Sequence, residues 1–160
     1  MTTYVTPPVA TRTRHRLRWL TPLILLGVLA FFASACSPPG PSSVGMSAAI
    51  QAARQTGKPY VYGAAGPNSF DCSGLVQYSY RLAGRSLPRT AQQQHDVARP
   101  ISAASARPGD LVFFGPSRGI YHDGIYVGFG AMRDAPHTGA VVRVEPVWTN
   151  SGPVSFGRIY

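Results

Sequence analysis

The stretch FDCSGLVQYSYRLAG, residues 70–84, carries the repeat of an amphipathic helix. Apolar and small side chains recur at steps of three and four residues from Cys72 onward, and Gly84 is suited to ending a helix. We therefore predict a helix over residues 72–83. Its core-facing side chains are predicted to be Leu75, Val76, Ser79 and Leu82.

Two further helices are predicted on either side of this segment. The first covers residues 43–56, ends at Gly57 and places Met46, Ile50 and Ala53 on one face. The second is short and covers residues 90–97, with Thr90 as a suitable N-cap.

Beyond Pro108 the pattern changes from a helical repeat to short strands. LVFF (111–114), IYHDGIYVG (120–128) and GAVVRVEPV (139–147) are rich in β-branched or aromatic residues and are separated by Gly or Pro. Helices followed by strands are typical of an α+β fold. We expect N-terminal helices packed on one side of an antiparallel β-sheet.

The composition limits the class of protein further. Of 160 residues, 44% are apolar and 13% charged, which argues against disorder, and the length suits one domain of about 100–150 residues. The net charge of +9 favours attraction to anionic partners such as cell walls, nucleic acids or membrane surfaces. Because no basic stripe or nucleic-acid-reading module accompanies this charge, we expect no nucleic-acid partner.

Residues 1–35 have the order of an export signal. The basic stretch RTRHRLR (12–18) precedes an uncharged apolar run, and Ala33, Ser34 and Ala35 supply small residues at its end. The densest apolar part, residues 23–33, is shorter than the roughly 20 residues that span a bilayer. We predict a signal peptide, with an uncleaved membrane anchor as the alternative.

Cys36 directly follows these small residues, and ASAC resembles the lipobox of bacterial lipoproteins. We predict lipidation of Cys36, with ordinary cleavage after Ala35 as the alternative. Residues 36–43 then form a short linker rich in Pro, Gly and Ser, and residues 44–160 form the exported domain. The domain is expected in the cell wall, secreted, or on the outer face of the cytoplasmic membrane, which it contacts only through the signal or lipid.

With Cys36 used for a lipid, the exported domain keeps one cysteine, Cys72. Its place at the start of a predicted helix favours a thiolate, because unpaired amides and the helix dipole stabilise negative charge there. His122 lies on a predicted strand, and a cysteine with a histidine base is the minimal pair for attack on an amide carbonyl. The alternatives are a buried structural cysteine and a histidine that only packs.

Strand alternation places His122 and Gly124 on one face, where Gly124 is expected to leave open space beside the imidazole. A third polar residue is needed to orient the ring, and Asp134 and His137 on the next connection are both suitable. We predict no metal site, since the histidines lack a local ligand spacing and no CxxC occurs.

Six segments, in this order, resemble the NlpC family of bacterial cell-wall cysteine peptidases, which have a papain-like fold. They are GKPYVYG (57–63), FDCSGLVQYSY (70–80), LPRTAQQQ (87–94), RPGDLVFF (107–114), HDGIYVG (122–128) and APHTG (135–139). The resemblance covers residues 46–158. It implies Cys72 as nucleophile, His122 as base and Asp134 as the third polar residue, with His137 the second choice for that role. It also implies Tyr60 and Ser73 beside the oxyanion or substrate.

The resemblance further implies hydrolysis of an amide in peptidoglycan stem peptides, typically the bond joining D-γ-glutamyl to diaminopimelate. No cofactor is needed, and we expect a monomer. Arg89, Arg118 and Arg133 are candidate bidentate partners for the stem carboxylates, with surface solvation as the favoured role of each one. Two other classes stay open: a catalytically weak wall-binding or scaffold protein, and a cysteine acyltransferase or amidase.

Asp123 departs from the family pattern, in which an apolar residue usually follows the histidine. An unpaired carboxylate on a buried strand face is costly or stays protonated. We therefore expect Asp123 to meet an arginine or the edge of the sheet.

Overall fold

The structure, a computed structural model, describes residues 41–148, 150 and 152–160, with the backbone alone at 41–43. The predicted signal peptide, the predicted lipidation of Cys36 and the first part of the predicted linker lie outside the described residues. Within these ranges no helix combines the length and apolar character that crossing a membrane requires.

The described part of the chain contains three α-helices and six β-strands. The helices are α1 (Pro41–Ala53), α2 (Cys72–Leu82) and α3 (Ala91–Val97). The strands are β1 (Arg99–Ile101), β2 (Leu111–Phe114), β3 (His122–Gly128), β4 (Ala131–Asp134), β5 (Arg143–Pro146) and β6 (Val154–Arg158). They form one antiparallel sheet in the order β1-β6-β2-β3-β4-β5, which confirms the predicted α+β class.

The main hydrophobic core lies between the helices and one face of the sheet. Alternate residues of β2 and β3 supply the sheet side, and α1 and α2 cover it. The buried side chains include Ala48, Ala52, Leu75, Val76, Leu111, Phe113 and Ile125. A smaller cluster around Val112, Phe114 and Met132 lies on the other face, where Trp148 and Phe156 pack against it. The two clusters follow from the alternation of side chains along β2.

Helix α1 differs from its prediction at its start, at its end and on its buried face. It begins at Pro41, so the last residues of the predicted linker form its first turn, and it ends at Ala53. Its buried side chains are alanines 48, 49 and 52, whereas Met46 and Ile50 are 45% and 49% exposed. The prediction placed the bulky side chains on the face that packs against the core. The small alanine side chains occupy that face instead, and they allow α1 to pack closely on α2.

Helix α2 begins at Cys72 as predicted and ends one residue early, at Leu82. Leu82 is 48% exposed, and Tyr80 is buried in its place. The hydroxyl of Tyr80 donates to the carbonyl oxygen of Gly109 at 2.5 Å, which ties α2 to the turn before β2. Helix α3 has the predicted N-cap at Thr90, completed by Gln93 in a capping box.

Of the predicted strands, 111–114 matches β2, while 120–128 and 139–147 shorten to β3 and β5. Strands β1, β4 and β6 were not predicted. β1 is a three-residue edge strand that contains Pro100, and β6 contains Gly157, and both residue types disfavour strands in a sequence pattern.

Candidate active site

Asp71 fixes the start of α2. It is the N-cap, with extended backbone, and its Oδ1 accepts from the amide of Gly74 at 2.7 Å. A Cβ at Gly74 would clash with the carbonyl oxygen of Ala64, so glycine is needed where the preceding loop crosses the helix. Cys72, a free and partly exposed cysteine, therefore lies on the first turn, at the positive end of the helix dipole.

Arg89 connects the two residues on either side of Cys72. Its guanidinium donates to both carboxylate oxygens of Asp71, at 3.0 and 2.5 Å, and to Oγ of Ser73 at 3.0 Å. The hydrogen bond with Asp71 is the largest contribution that raises the pKa of Arg89. Because a bidentate pair fixes orientation as well as distance, Arg89 holds the turn that carries Cys72.

A second support for this turn comes from α3. The buried side chain of Gln94 donates from Nε2 to the carbonyl oxygens of Ser73 at 3.0 Å and Pro88 at 2.9 Å. Helix α3 thereby holds both the first turn of α2 and the segment that carries Arg89.

His122 is the first residue of β3 and is nearly buried. Its Nε2 lies 2.9 Å from Oδ2 of Asp134, the last residue of β4. On the ring face, Trp148 stacks at 4.7 Å between centroids and 20° between planes, and Phe114 packs at 5.5 Å. The hydrogen bond to Asp134 and two aromatic contacts thus fix the imidazole, and its other nitrogen, Nδ1, is the one that can serve Cys72.

The open space predicted beside His122 at Gly124 is not there. A Cβ at Gly124 would lie 3.1 Å from Cβ of Asp134 and 3.1 Å from the carbonyl oxygen of Arg133. Strand β4 fills this space, so that prediction is wrong. The absence of a side chain at Gly124 instead permits the close approach of Asp134 to β3.

The electrostatic surroundings favour the charged form of His122. Burial disfavours the imidazolium, but the hydrogen bonds to Asp134 and Cys72, and their negative charges, outweigh it and raise the pKa of His122 to about 10. A protonated His122 beside Cys72 is the arrangement of a thiolate–imidazolium pair.

Glu145 on β5 lies behind Asp134. Burial raises the pKa of Asp134, Glu145 raises it further, and the bond with His122 opposes both. Arg143 donates from Nε to Oε2 of Glu145 at 2.7 Å. Oδ1 of Asp134 and Oε1 of Glu145 are buried without a hydrogen-bond partner. The carboxylate that orients the imidazole is therefore itself held in a charged, largely dry environment.

Asp123 does not meet an arginine or a sheet edge, so that expectation is wrong. It is 0% exposed on the central strand β3, its register partner on β2 is Phe113, and neither carboxylate oxygen has a hydrogen-bond partner. Burial is the main reason that the pKa of Asp123 rises to about 7. Arg89, the cation whose charge acts on it, already donates to Asp71 and Ser73.

A cleft of about 410 Å³ opens beside Cys72. Its walls carry three tyrosines together with polar groups from the start of α2 and the segment before α3. The lining includes Tyr60, Tyr62, Tyr121, Asp71, Cys72, Ser73 and Arg89. Burial and the charge of Cys72 raise the pKa of Tyr60. The cleft is thus suited to a small polar ligand with its reacting group at Cys72.

The other predicted site residues lie elsewhere. His137 is exposed on the loop after β4, with Nδ1 3.0 Å from the carbonyl oxygen of Thr138. Arg118 is exposed in the turn before β3, and Arg133 on β4 does not line the cleft. Across the described ranges, no three His, Cys, Asp or Glu side chains are placed to hold a metal ion.

Sequence reasoning missed Trp148 and Glu145. Glu145 lies within the predicted strand 139–147, and an acidic residue in that strand could have indicated a second carboxylate near Asp134. Trp148 follows β5 outside any periodic pattern, so only the fold brings its ring to His122.

Comparison with known proteins agrees with the family resemblance of the six sequence segments. A sequence model of the NlpC/P60 family matches residues 57–152. The bifunctional muramidase/DL-endopeptidase CwlT of Bacillus subtilis is 45% identical over 114 residues, which are 68% of this chain and 35% of CwlT. The chain therefore matches about a third of that relative's length.

Two solved structures from Mycobacterium tuberculosis share the fold. The peptidoglycan hydrolase RipB aligns with a TM-score of 0.67 and 30% identity, over 76% of this chain and 68% of RipB. RipD, described as a non-catalytic NlpC/p60 domain protein adapted to peptidoglycan binding, aligns with a TM-score of 0.64 and 33% identity, over 73% of this chain and 98% of RipD. Similar folds thus occur with and without catalysis.

Proposed function

The chain belongs to the NlpC/P60 family, and we propose that it is an exported cysteine endopeptidase that hydrolyses an amide bond in peptidoglycan stem peptides. The bond proposed is the one that joins D-γ-glutamyl to diaminopimelate. The observation that carries the proposal is the line from Cys72 on the first turn of α2, through His122, to Asp134 at 2.9 Å.

In the proposed reaction the Cys72 thiolate attacks the scissile carbonyl carbon, and a carbon–sulfur bond forms. His122 gives its proton to the amine nitrogen as the carbon–nitrogen bond breaks, which leaves a thioester on Cys72. His122 then takes a proton from water, the hydroxide attacks the thioester, and the free acid and the thiolate are released. Asp134 keeps the imidazole oriented through both steps.

Negative charge on the carbonyl oxygen is proposed to be stabilised by backbone amides on the first turn of α2 and by the hydroxyl of Tyr60. Each such donor contributes about 2.7–4 kcal/mol in enzymes where it has been removed. Tyr60 suits this role because it lines the same cleft as Cys72, and because the charge of Cys72 is among the causes that raise the pKa of Tyr60.

The polar wall of the cleft supports a stem peptide as substrate. Asp71, Ser73 and Arg89 form one connected group beside Cys72, which offers both an anionic and a cationic partner to a peptide that carries amines and carboxylates. The tyrosines give apolar surface for its side chains.

A wall-binding role without turnover is the second candidate, and the similarity to RipD and the buried Asp123 favour it. Against it stands the complete arrangement of thiol, imidazole and carboxylate. The two proposals differ in one expectation: only the endopeptidase proposal requires Cys72 for the formation of a cleaved product.

The test is digestion of purified muropeptides, analysed by mass, with the full chain and its Cys72→Ser variant. We expect cleavage at the proposed bond by the full chain and none by Cys72→Ser. Cys36→Ser is the matched control, the same substitution at the other cysteine, and is expected to cleave at the full rate. Equal behaviour of the chain and Cys72→Ser would rule out cysteine catalysis, and binding to muropeptides without cleavage would favour the second candidate.

Export through residues 1–35 and a lipid on Cys36 belong to the same proposal. The substrate lies outside the cytoplasmic membrane, and a lipid would keep the enzyme near it. Mass analysis of the membrane fraction tests this, since an unmodified Cys36 on a released protein would contradict the anchor.

A further inference from the structure

Asp123 is a buried carboxyl group that the proposed mechanism does not use. It is 0% exposed, and neither oxygen has a hydrogen-bond partner. Such a group is costly in a folded protein unless it stays protonated or serves another group. It follows His122 directly and points to the opposite face of β3, the face that α2 covers.

The groups around Asp123 come from four elements. Asp71 and Cys72 face it from the start of α2, His122 precedes it on β3, and Asp134 acts on it from β4. On β2 its register partner is the apolar Phe113. The charge of Arg89 also acts on it, but that guanidinium donates to Asp71 and Ser73.

These surroundings give the two protonation states of Asp123 opposite effects on Cys72. A protonated carboxyl group carries an O–H that can donate to a thiolate, and it adds no charge. An ionised carboxyl group cannot donate, and it places a second negative charge beside the thiolate. Burial is the largest contribution and raises the pKa of Asp123, and the charges of Asp71 and Asp134 raise it further. The charge of His122 and the contact with Cys72, whose thiol can donate to the ionised carboxylate, lower it. The resulting pKa is about 7, so both states are accessible near neutral pH.

We propose that Asp123 is a positioning residue that holds a proton beside Cys72 and donates it as a hydrogen bond to the thiolate, so that ionisation of Asp123 weakens the thiolate–imidazolium pair. This inference rests on the proposed function only in taking Cys72 as the nucleophile. It makes the reactivity of Cys72 depend on pH through a group that takes no part in bond breaking.

The test measures the reactivity of Cys72 without any substrate. The full chain is treated with iodoacetamide from pH 5 to pH 9, and the rate of modification is followed by mass on the peptide that contains Cys72. Asp123→Asn keeps the size and a donor but cannot ionise. We expect the ratio of the Asp123→Asn rate to the wild-type rate to rise about tenfold between pH 6 and pH 8, the effect of about one pKa unit.

Taking the ratio removes the titrations that both proteins share. The pKa of His122, at about 10, lies well above this window. Ile125→Val is the matched structural control, because Ile125 is buried two residues further along the same face of β3. Its ratio to wild type is expected to stay flat with pH even if its absolute rate changes.

A flat ratio for Asp123→Asn overturns the proposal. If Asp123→Asn does not fold, Asp123→Leu replaces it, since leucine has a similar shape and neither charge nor donor. Its ratio must show the same rise, and a flat profile for it also overturns the proposal. A chain that shows the rise but leaves muropeptides intact refutes the endopeptidase proposal and leaves this one standing.

Discussion

The hydrogen bond between His122 and Asp134 allows a quantitative prediction for Asp134→Asn. The two atoms are 2.9 Å apart, and both side chains are almost entirely buried. Charge centres about 4 Å apart attract by about 4 kcal/mol at an effective dielectric constant of about 20. This corresponds to about three pKa units. Asp134 is thus a main cause of the rise of the His122 pKa from 6.5 to about 10, to which Cys72 also contributes and which burial opposes.

Asparagine accepts the same hydrogen bond but carries no charge, so the pKa of His122 is expected to fall from about 10 to about 7. The imidazolium that protonates the leaving amine is then nearly intact at pH 6 and reduced about a hundredfold at pH 9. The rate of muropeptide hydrolysis by Asp134→Asn is expected to follow: a small loss at pH 6 and about a hundredfold loss at pH 9.

The assay is the initial rate of muropeptide cleavage from pH 6 to pH 10 for the two proteins, with folding checked by circular dichroism. His137→Ala is the control, because His137 is an exposed residue on the same connection and lies against Thr138. It should keep the wild-type profile. An alkaline limb that stays in place in Asp134→Asn, or a larger loss in His137→Ala, would refute the assignment of Asp134.

Two further predictions concern the residues beside His122 on β3. Folding raises the pKa of Asp123 from 3.8 to about 7, so the folded state binds the proton of Asp123 more tightly than the unfolded state does. The resulting contribution to the free energy of unfolding is fully present below pH 3.8 and is lost as pH rises through 7, which lowers the free energy of unfolding by about 4 kcal/mol at pH 8. Asp123→Leu should therefore raise the free energy of unfolding in urea by more at pH 8 than at pH 4, and an equal gain at both values contradicts this reasoning. Gly124→Ala places a methyl group 3.1 Å from Cβ of Asp134. It should displace Asp134 and lower the rate of muropeptide hydrolysis at least about tenfold at pH 8 without unfolding the domain. An unchanged rate would mean that Asp134 does not need its present position.

The features of the site that could be predicted from sequence are those with a local signal. The helical repeat and Gly84 place Cys72 at the start of α2, and the alternating pattern places His122 on a strand. The choice between Asp134 and His137 has no such signal, because it depends on the pairing of β3 with β4. That pairing shifts in register between Tyr126 and Gly128, which a repeat of two residues does not reveal.

The errors have physical causes of the same kind. On α1 the hydrophobic pattern favoured Met46 and Ile50 as the core face, but close packing selected the alanines. For Asp123 the sequence rule that a buried acid meets a cation failed because the nearby cation, Arg89, is already shared by Asp71 and Ser73. Both outcomes depend on which elements meet in three dimensions.

Three of the four acidic side chains discussed at the site have a cationic partner, and Asp123 is the exception. Among the described residues near Cys72, Asp71 is paired with Arg89, Asp134 with His122, and Glu145 with Arg143. Each of these three acids has a cationic side chain as its partner. Asp123 has no cation of its own and lies against the thiol. For this reason a change of pH near neutrality acts on the site through Asp123 before it acts on the His122–Asp134 pair.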